Sequence, residues 1–321
     1  MAGSARAAIA GALAGSLLLG GCAPGAGGDA THGEPDRAAD RPKVVTTFTV
    51  LADIAANVAG EHLIVESITK VGAEVHGYEP TPGDIRRAAD ADLILDHGLG
   101  LERWFEQFVA ELDVPHVVVT DGIEPIPIAG DEAETGSSAT TGAPPNPHTW
   151  MSPANVAQYV ETIADAFAEL DPAHAEEYDA NARAYQSELH AIQDRLIAEL
   201  ATLPPSQRAL VTCEGAFSYL ARDAGLTEHY LWPVNAEQQA TPQQVARTIE
   251  TVRDAGIPAV FCESTVSDRA MQQVVDATDA VYGGVLYVDS LSEPDGPVPT
   301  YLDLIRYDTE LIIAGLTGGT R

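Results

Sequence analysis

An internal repeat constrains the fold of this chain more than any other feature of its 321 residues. Residues 81–85 (Thr-Pro-Gly-Asp-Ile) and 241–245 (Thr-Pro-Gln-Gln-Val) share the pattern of a helix start: threonine as N-cap, proline in the first turn, and Asp or Gln closing a capping box. Each predicted helix leads to a short apolar run, 92–96 or 258–262, that is typical of a buried strand. The repeat therefore predicts an α/β chain of two lobes, each with a parallel β-sheet flanked by helices.

A long helical pattern lies between the two halves. From His174 to Leu200, apolar or small residues recur at steps of three and four, which is the spacing of one helix face. A helix of this length extends roughly 40 Å, so we expect it to join the lobes rigidly and to allow only modest closure. The predicted domains are a lobe at 43–173, a linking helix at 174–203 and a second lobe at 204–321.

The N-terminal residues predict export and attachment to a membrane. Arg6 is the only charged side chain before the apolar run 7–19, which is too short to span a membrane and is typical of a secretory signal. The run ends in residues 19–22 (Leu-Gly-Gly-Cys), which resemble a bacterial lipobox and imply that Cys22 is lipidated after removal of the signal peptide. Residues 23–42, rich in Gly, Ala, Pro and Asp, predict a flexible tether.

Charge excludes one class of partner. Seventeen Lys and Arg residues against 48 Asp and Glu residues give a formal net charge of −31. A chain this acidic repels phosphate backbones, so nucleic acid is not an expected partner.

The two cysteines of the second half leave two states open. Cys213 and Cys262 each follow a short apolar run and directly precede a glutamate. This position predicts that both lie at the same end of neighbouring strands. Export permits a disulfide between them, but two buried free thiols fit the sequence equally well.

Four segments place ligand-type side chains at the ends of predicted strands, where open parallel sheets bind ligands. They are residues 75–82, 146–150, 211–217 and 286–290. On these segments the chain, from about residue 43 to 316, resembles the manganese, iron and zinc solute-binding proteins of ABC importers, which include lipoproteins described as streptococcal adhesins. The resemblance implies a metal site between the two lobes, one long linking helix, and a monomer that serves a permease and an ATPase from the outer face of the cytoplasmic membrane.

The resemblance also implies the ligands of the metal. His76 matches the family's first histidine in His-Gly-Tyr-Glu-Pro, and His148 matches the second in Asn-Pro-His-Thr-Trp. Glu214 stands where members have Glu or His, and Asp289 matches the fourth ligand in Val-Asp-Ser. Residues 73–75 (Ala-Glu-Val) stand where members often have Asp-Pro, which leaves the shape of that loop open.

The donor set indicates one divalent transition-metal ion. Two imidazoles and two carboxylates suit Mn²⁺, and the carboxylates cancel the charge of the ion. Zn²⁺ binds the same donors more tightly by intrinsic order, and Fe²⁺ is a further alternative. No histidine-rich loop of the kind found in many zinc members is present, so manganese is the favoured ion.

Two further side chains are candidates for supporting roles. His97 follows a predicted strand and faces the expected cleft, and Glu263 follows another strand from which it is expected to accept the second ring proton of a ligand histidine. The remaining histidines are interpreted as surface or capping residues; they are His32, His62, His116, His174, His190 and His229.

Two rival functions use the same ligands. A metallohydrolase needs an open coordination position and a positioned base, and the sequence contains no His-Glu-x-x-His, Gly-x-Ser-x-Gly or phosphate-loop motif. An adhesin or structural lipoprotein would hold its metal permanently. The favoured interpretation is a metal receptor without enzymatic activity.

Overall fold

The computed structural model describes residues 41–128, 143–234 and 240–319 of the chain. The predicted signal peptide with Cys22 and all but the last two residues of the predicted tether lie outside the described residues. Among the residues that are described, no helix is both long and apolar enough to cross a membrane.

Four short parallel strands form the sheet of the first half. They are β1 (Lys43–Thr46), β2 (Ile64–Ser67), β3 (Leu93–Asp96) and β4 (His116–Val118), in the order β2-β1-β3-β4. Three helices belong to this half: α1 (Thr49–Ala59), α2 (Pro82–Ala89) and α3 (Arg103–Val109). Val44 and Leu95 pack with α1, whereas Val45 and Ile94 pack with α2 and α3, so helices cover both faces of the sheet. Because the strands run in one direction, the loops that follow them share one edge.

The strands of the second half form two parallel pairs. β5 (Ala209–Glu214) pairs with β6 (Thr227–Trp232), and β7 (Ala259–Glu263) pairs with β8 (Val281–Leu286). β5 lies beside β7, where Cys213 and Cys262 form a disulfide whose Cα atoms are 4.8 Å apart. That separation lies within the range that bridges span. Of the two states that the sequence leaves open, the structure contains the bridged one.

The remaining helices pack around these strands. α4 (Pro153–Leu170) and α5 (Ala175–Leu200) come between the halves along the chain. α6 (Ser218–Ala224), α7 (Pro242–Ala255), α8 (Arg269–Ala277) and α9 (Tyr301–Thr317) belong to the second half. The predicted fold class is confirmed: parallel sheets flanked by helices, with one long helix between the two halves.

Both predicted capping boxes are present. The Thr81 hydroxyl accepts from the backbone N–H of Asp84, whose carboxylate accepts from the backbone N–H of Thr81. Thr241 and Gln244 make the same reciprocal pair at the start of α7. Each box satisfies two backbone donors that the first turn of a helix leaves unpaired, which is why the repeated segments begin helices at equivalent places.

The long helix α5 connects the halves through its buried face. The apolar or small residues that recur at steps of three and four are all buried; they are Tyr178, Ala182, Tyr185, Leu189, Ile192, Leu196 and Leu200. α5 packs against α1 of the first half and α9 of the second. One apolar core contains residues of both halves, among them Phe48 of the first half and Phe217 of the second. Wide opening would expose this core to water, so modest closure stays our prediction, as do the domain boundaries.

Truncating the buried face of α5 should destabilise the whole protein. Leu189 is fully buried, whereas Ile197 on the same helix is 41% exposed. We expect Leu189→Ala to lower the free energy of unfolding by about 2–5 kcal/mol. The control Ile197→Ala should stay within about 0.5 kcal/mol of wild type. Urea unfolding of the metal-free protein measures both, and equal losses would contradict the packing of α5 described here.

Candidate metal centre

The loop between β2 and α2 presents His76. The carboxylate of Glu74 accepts hydrogen bonds from the backbone N–H groups of His76 and Gly77, both at 2.7 Å. Trp104 donates its indole N–H to the carbonyl oxygen of the buried Val75 at 2.9 Å. Glu74 therefore shapes the turn at the place where this sequence departs from the Asp-Pro of the similar proteins, and the backbone on both sides of His76 is held.

His148 lies just before α4, and Asn146 fixes its ring. Asn146 Oδ1 accepts from the backbone N–H of His148 at 3.1 Å and from its Nδ1 at 2.9 Å. The amide of Asn146 is oriented by its Nδ2, which donates to the carbonyl oxygen of Gly215 at 2.7 Å. Because Nδ1 carries the proton, Nε2 of the fully buried His148 presents a lone pair. Gly215 belongs to the second half, so this orientation depends on both halves.

Asp289 follows β8, and the first half contacts the residues on either side of it. Trp150 donates its indole N–H to the carbonyl oxygen of Val288 at 2.9 Å. The backbone N–H of Gly72 donates to the hydroxyl of Ser290 at 2.7 Å. Asp289 is 2% exposed, so its carboxylate is presented from the second half into a buried position between these contacts.

Three ligand atoms from the two halves meet at one point. Nε2 of His76 lies 3.2 Å from Nε2 of His148, and Oδ1 of Asp289 lies 3.9 Å and 3.7 Å from these nitrogens. Oδ1 of Asp289 is buried and accepts no hydrogen bond among the described residues. A buried carboxylate oxygen without a donor is costly, and a cation between it and the two imidazoles removes that cost. We call these three residues the metal centre.

The protonation states at the metal centre favour a cation as ligand. Burial, and then the charge of His148, lower the pKa of His76. Burial raises the pKa of Asp289, but His148 and His76 outweigh it and leave that pKa below its ordinary value. A neutral imidazole and an ionised carboxylate are the forms that coordinate metal.

Glu214, the remaining predicted ligand, is not one of the three convergent residues. It ends β5, 2% exposed, at the same edge of the second half as the loop that carries Asp289. Its backbone N–H donates to the carboxylate of Glu263 at 3.2 Å and 3.3 Å. Its role as a ligand therefore stays a prediction.

Glu263 contacts the backbone of Glu214 rather than the ring of a ligand histidine. Burial raises the pKa of Glu263 to about 8. For His148, the acceptor of the second ring proton is Asn146 and not Glu263, and this role of Asn146 was not predicted from the sequence. The available signal was a side-chain amide two residues before a ligand histidine.

His97 lies behind the metal centre and is not one of its convergent ligands. It is fully buried, and its Nε2 lies 2.9 Å from the hydroxyl of Thr149 and 2.8 Å from that of Tyr159. Burial lowers its pKa to about 3, so the ring is neutral. His97 thus contacts the residue that follows His148, which is compatible with the supporting role predicted for it.

The metal centre has one wetter side. The His76 side chain is 19% exposed, whereas those of His148 and Asp289 are 0% and 2% exposed. A cavity of about 400 Å³ borders His76 and is also lined by Glu74, Arg103 and Pro147. A cation from solvent would meet His76 first.

Known proteins are similar to this chain in sequence, and a solved structure is similar to it in fold. The iron-binding protein YfeA of Yersinia pestis is 54% identical over 282 residues, which cover 88% of each chain. The manganese-binding lipoprotein MntA of Halalkalibacterium halodurans is 34% identical over 86% of this chain and 88% of its own. The Mn-bound periplasmic metal-binding protein from Candidatus Liberibacter asiaticus is 38% identical, covers 86% of this chain and 100% of its own, and superposes with a TM-score of 0.78.

A family model matches nearly all of the folded chain. It is described as zinc-uptake complex component A, periplasmic, and it covers residues 44–315. That range contains the long helix α5 and all three residues of the metal centre. The chain belongs to this family, the substrate-binding proteins of metal ABC transporters.

Proposed function

We propose that this chain is the extracytoplasmic, lipid-anchored receptor of an ABC importer, which captures one divalent metal ion and delivers it to the permease. The observation that carries the proposal is the convergence of His76 and His148 from the first half with Asp289 from the second. Family membership supports the importer as partner. Relatives named as lipoproteins support the anchor, for which Cys22 is the candidate residue.

Glu214 is proposed as the fourth ligand. It ends β5 beside β7, and Asp289 follows the strand that pairs with β7. A second carboxylate would neutralise a divalent ion that two neutral imidazoles leave charged, which matters because the centre is buried. Carboxylates that bind through both oxygens would also raise the coordination number above four.

Manganese is the ion that we propose. Mn²⁺ readily accepts mixed nitrogen and oxygen donors at a coordination number above four, whereas structural zinc sites are closed, four-coordinate and tetrahedral. The relative from Halalkalibacterium halodurans is named as manganese-binding, and the solved structure from Candidatus Liberibacter asiaticus is described as Mn-bound.

Ferrous iron is the second candidate, and one observation favours it. The relative that is 54% identical is named as an iron-binding protein. Fe²⁺ accepts the same donors as Mn²⁺ and lies next to it in the order of intrinsic affinity. The ligand set therefore separates these two ions less well than it separates either of them from zinc.

Binding would proceed from the wetter side inward. His76 is the most exposed ligand and borders the cavity, so it would meet the ion first. His148 and Asp289, both buried, would then complete the shell from opposite halves. An ion bound in this way couples the halves, so metal should stabilise the folded chain and the permease can distinguish loaded from empty receptor.

Loss of Asp289 should abolish metal-dependent stabilisation. At a metal concentration of 100 times the Kd, binding should raise the melting temperature of the wild type by roughly 5–10 °C. We expect Asp289→Ala to lose most of this rise, whereas Asp295→Ala, an exposed residue of the same connection between β8 and α9, should keep it. Differential scanning calorimetry with and without Mn²⁺ measures both, and an undiminished rise in Asp289→Ala would refute the proposed site.

Glu214→Gln tests the fourth ligand separately. If Glu214 coordinates the ion, removing its charge should weaken Mn²⁺ binding by about 100-fold or more, because even partners of metal ligands are worth about 10–100-fold. Glu250→Gln, at an exposed position on α7, is the matched control and should bind as wild type does. Isothermal titration calorimetry gives the affinities. An unchanged affinity in Glu214→Gln would show that Glu214 is not a ligand and that only His76, His148 and Asp289 hold the ion.

Elemental analysis tests the identity of the ion. Protein purified without added metal should carry close to one equivalent of manganese, and Asp289→Ala purified in the same way should carry almost none. Because zinc binds nitrogen and oxygen donors more tightly by intrinsic order, competition with Zn²⁺ should follow. A predominance of iron would select the second candidate, and a predominance of zinc would contradict both while leaving the receptor function intact.

A further inference from the structure

A second group of ligand-type side chains lies away from the metal centre. His62, His174 and Glu177 offer three ligand atoms that all lie within 4.8 Å of one another. His62 follows α1, His174 lies between α4 and α5, and Glu177 is in the first turn of α5. We call these three residues the peripheral cluster.

The topology separates the peripheral cluster from the metal centre. α1 begins near Asp289, where the hydroxyl of Thr49 accepts from the backbone N–H of Leu291 at 3.1 Å. Its 11 residues extend roughly 16 Å to the opposite end, which His62 follows. His62 also lies two residues before the start of β2, at the amino edge of a sheet whose carboxyl edge leads to the loop with His76.

The side chains of the peripheral cluster are already in contact. Nε2 of His62 lies 2.7 Å from Oε2 of Glu177. The rings of His62 and His174 stack with centroids 3.8 Å apart and an interplanar angle of 19°. His62 and Glu177 satisfy each other through their hydrogen bond. Nε2 of His174, in contrast, makes no hydrogen bond within the part of the chain that the structure describes.

Asp171 orients the ring of His174. Nδ1 of His174 donates to Oδ2 of Asp171 at 2.6 Å, and the hydroxyl of Tyr178 donates to the same oxygen at 2.8 Å. This leaves a lone pair on Nε2 of His174, directed away from Asp171. A carboxylate on the far nitrogen is the usual support of a histidine that binds metal, because it fixes the tautomer and makes the ligand more basic.

We propose that His62, His174 and Glu177 bind a second divalent cation of the zinc type, with water in the fourth position. Two imidazoles and one carboxylate in a four-coordinate arrangement are a common zinc ligand set. They differ from the set with two carboxylates that we propose for the metal centre, so the two sites should prefer different ions. The cluster is partly exposed, and the single positive charge that remains is therefore solvated.

Small side-chain movements complete the geometry. Ligand atoms of a tetrahedral zinc ion lie about 3.3 Å from one another when the metal–ligand bonds are about 2.0–2.1 Å. The 2.7 Å pair of His62 and Glu177 would open, and wider pairs would contract. The side chains of His62, His174 and Glu177 are 25%, 39% and 61% exposed, so His174 and Glu177 can move at the surface, whereas the His62 ring must turn out of its stack on His174.

Metal at the peripheral cluster would act as a clip between the end of α1 and the start of α5. Asn181 of α5 already donates to the carbonyl oxygen of Val58 near the end of α1 at 3.1 Å. An ion held by His62, His174 and Glu177 would add a second connection between the same two helices. The ion at this site would therefore stabilise the fold and would not be the transported ion.

Zinc stoichiometry in wild type and in Asp289→Ala tests this inference independently of the proposed function. Equilibrium dialysis against Zn²⁺ alone should show that His174→Gln removes one equivalent in both backgrounds. His190→Gln, at an exposed position of α5, is the matched control and should remove none. Circular dichroism verifies that each variant is folded.

Three results would each decide the matter. Loss of one equivalent in His174→Gln, together with loss of the intense visible absorption of four-coordinate Co²⁺ in Asp289→Ala carrying the same change, would support the peripheral site. Equal zinc stoichiometry in His174→Gln and His190→Gln would overturn it. If the wild type binds only one equivalent and His174→Gln removes it, the peripheral site stands and the metal centre fails.

Discussion

The metal centre depends on one buried carboxylate oxygen that receives no hydrogen bond from the described residues. Oδ1 of Asp289 accepts no hydrogen bond among the described residues and faces the Nε2 atoms of His76 and His148 across less than 4 Å. Folding places this charge in a position that the protein alone does not satisfy. A divalent cation satisfies it, so the same feature that weakens the metal-free protein supplies free energy for binding.

Contacts between the halves make this arrangement possible before any metal arrives. Trp150 holds the backbone next to Asp289, and Asn146 connects the ring of His148 to the carbonyl oxygen of Gly215. The long buried face of α5 and a core that is continuous through both halves restrict movement. Preorganised ligands lose little conformational entropy on binding, and only a modest closure is then needed.

Local features could be predicted from the sequence. The capping boxes at Thr81 and Thr241 and the buried stripe of α5 each depend on spacing within one segment, and the structure confirms them. The convergence of His76, His148 and Asp289 was reached through resemblance to a family, because their segments are distant in the sequence. The support of His148 by Asn146, the contact of Glu263 with the backbone of Glu214, and the peripheral cluster depend on how separate elements pack, which no single segment encodes.

In our proposal, side chains from both halves hold one cation. A crystal structure of the manganese-loaded protein would test this, with anomalous scattering measured on both sides of the manganese absorption edge. We predict one strong manganese peak roughly 2.0–2.4 Å from Nε2 of His76, Nε2 of His148 and a carboxylate oxygen of Asp289. A peak coordinated by residues of one half only, or no manganese peak near Asp289, would contradict it.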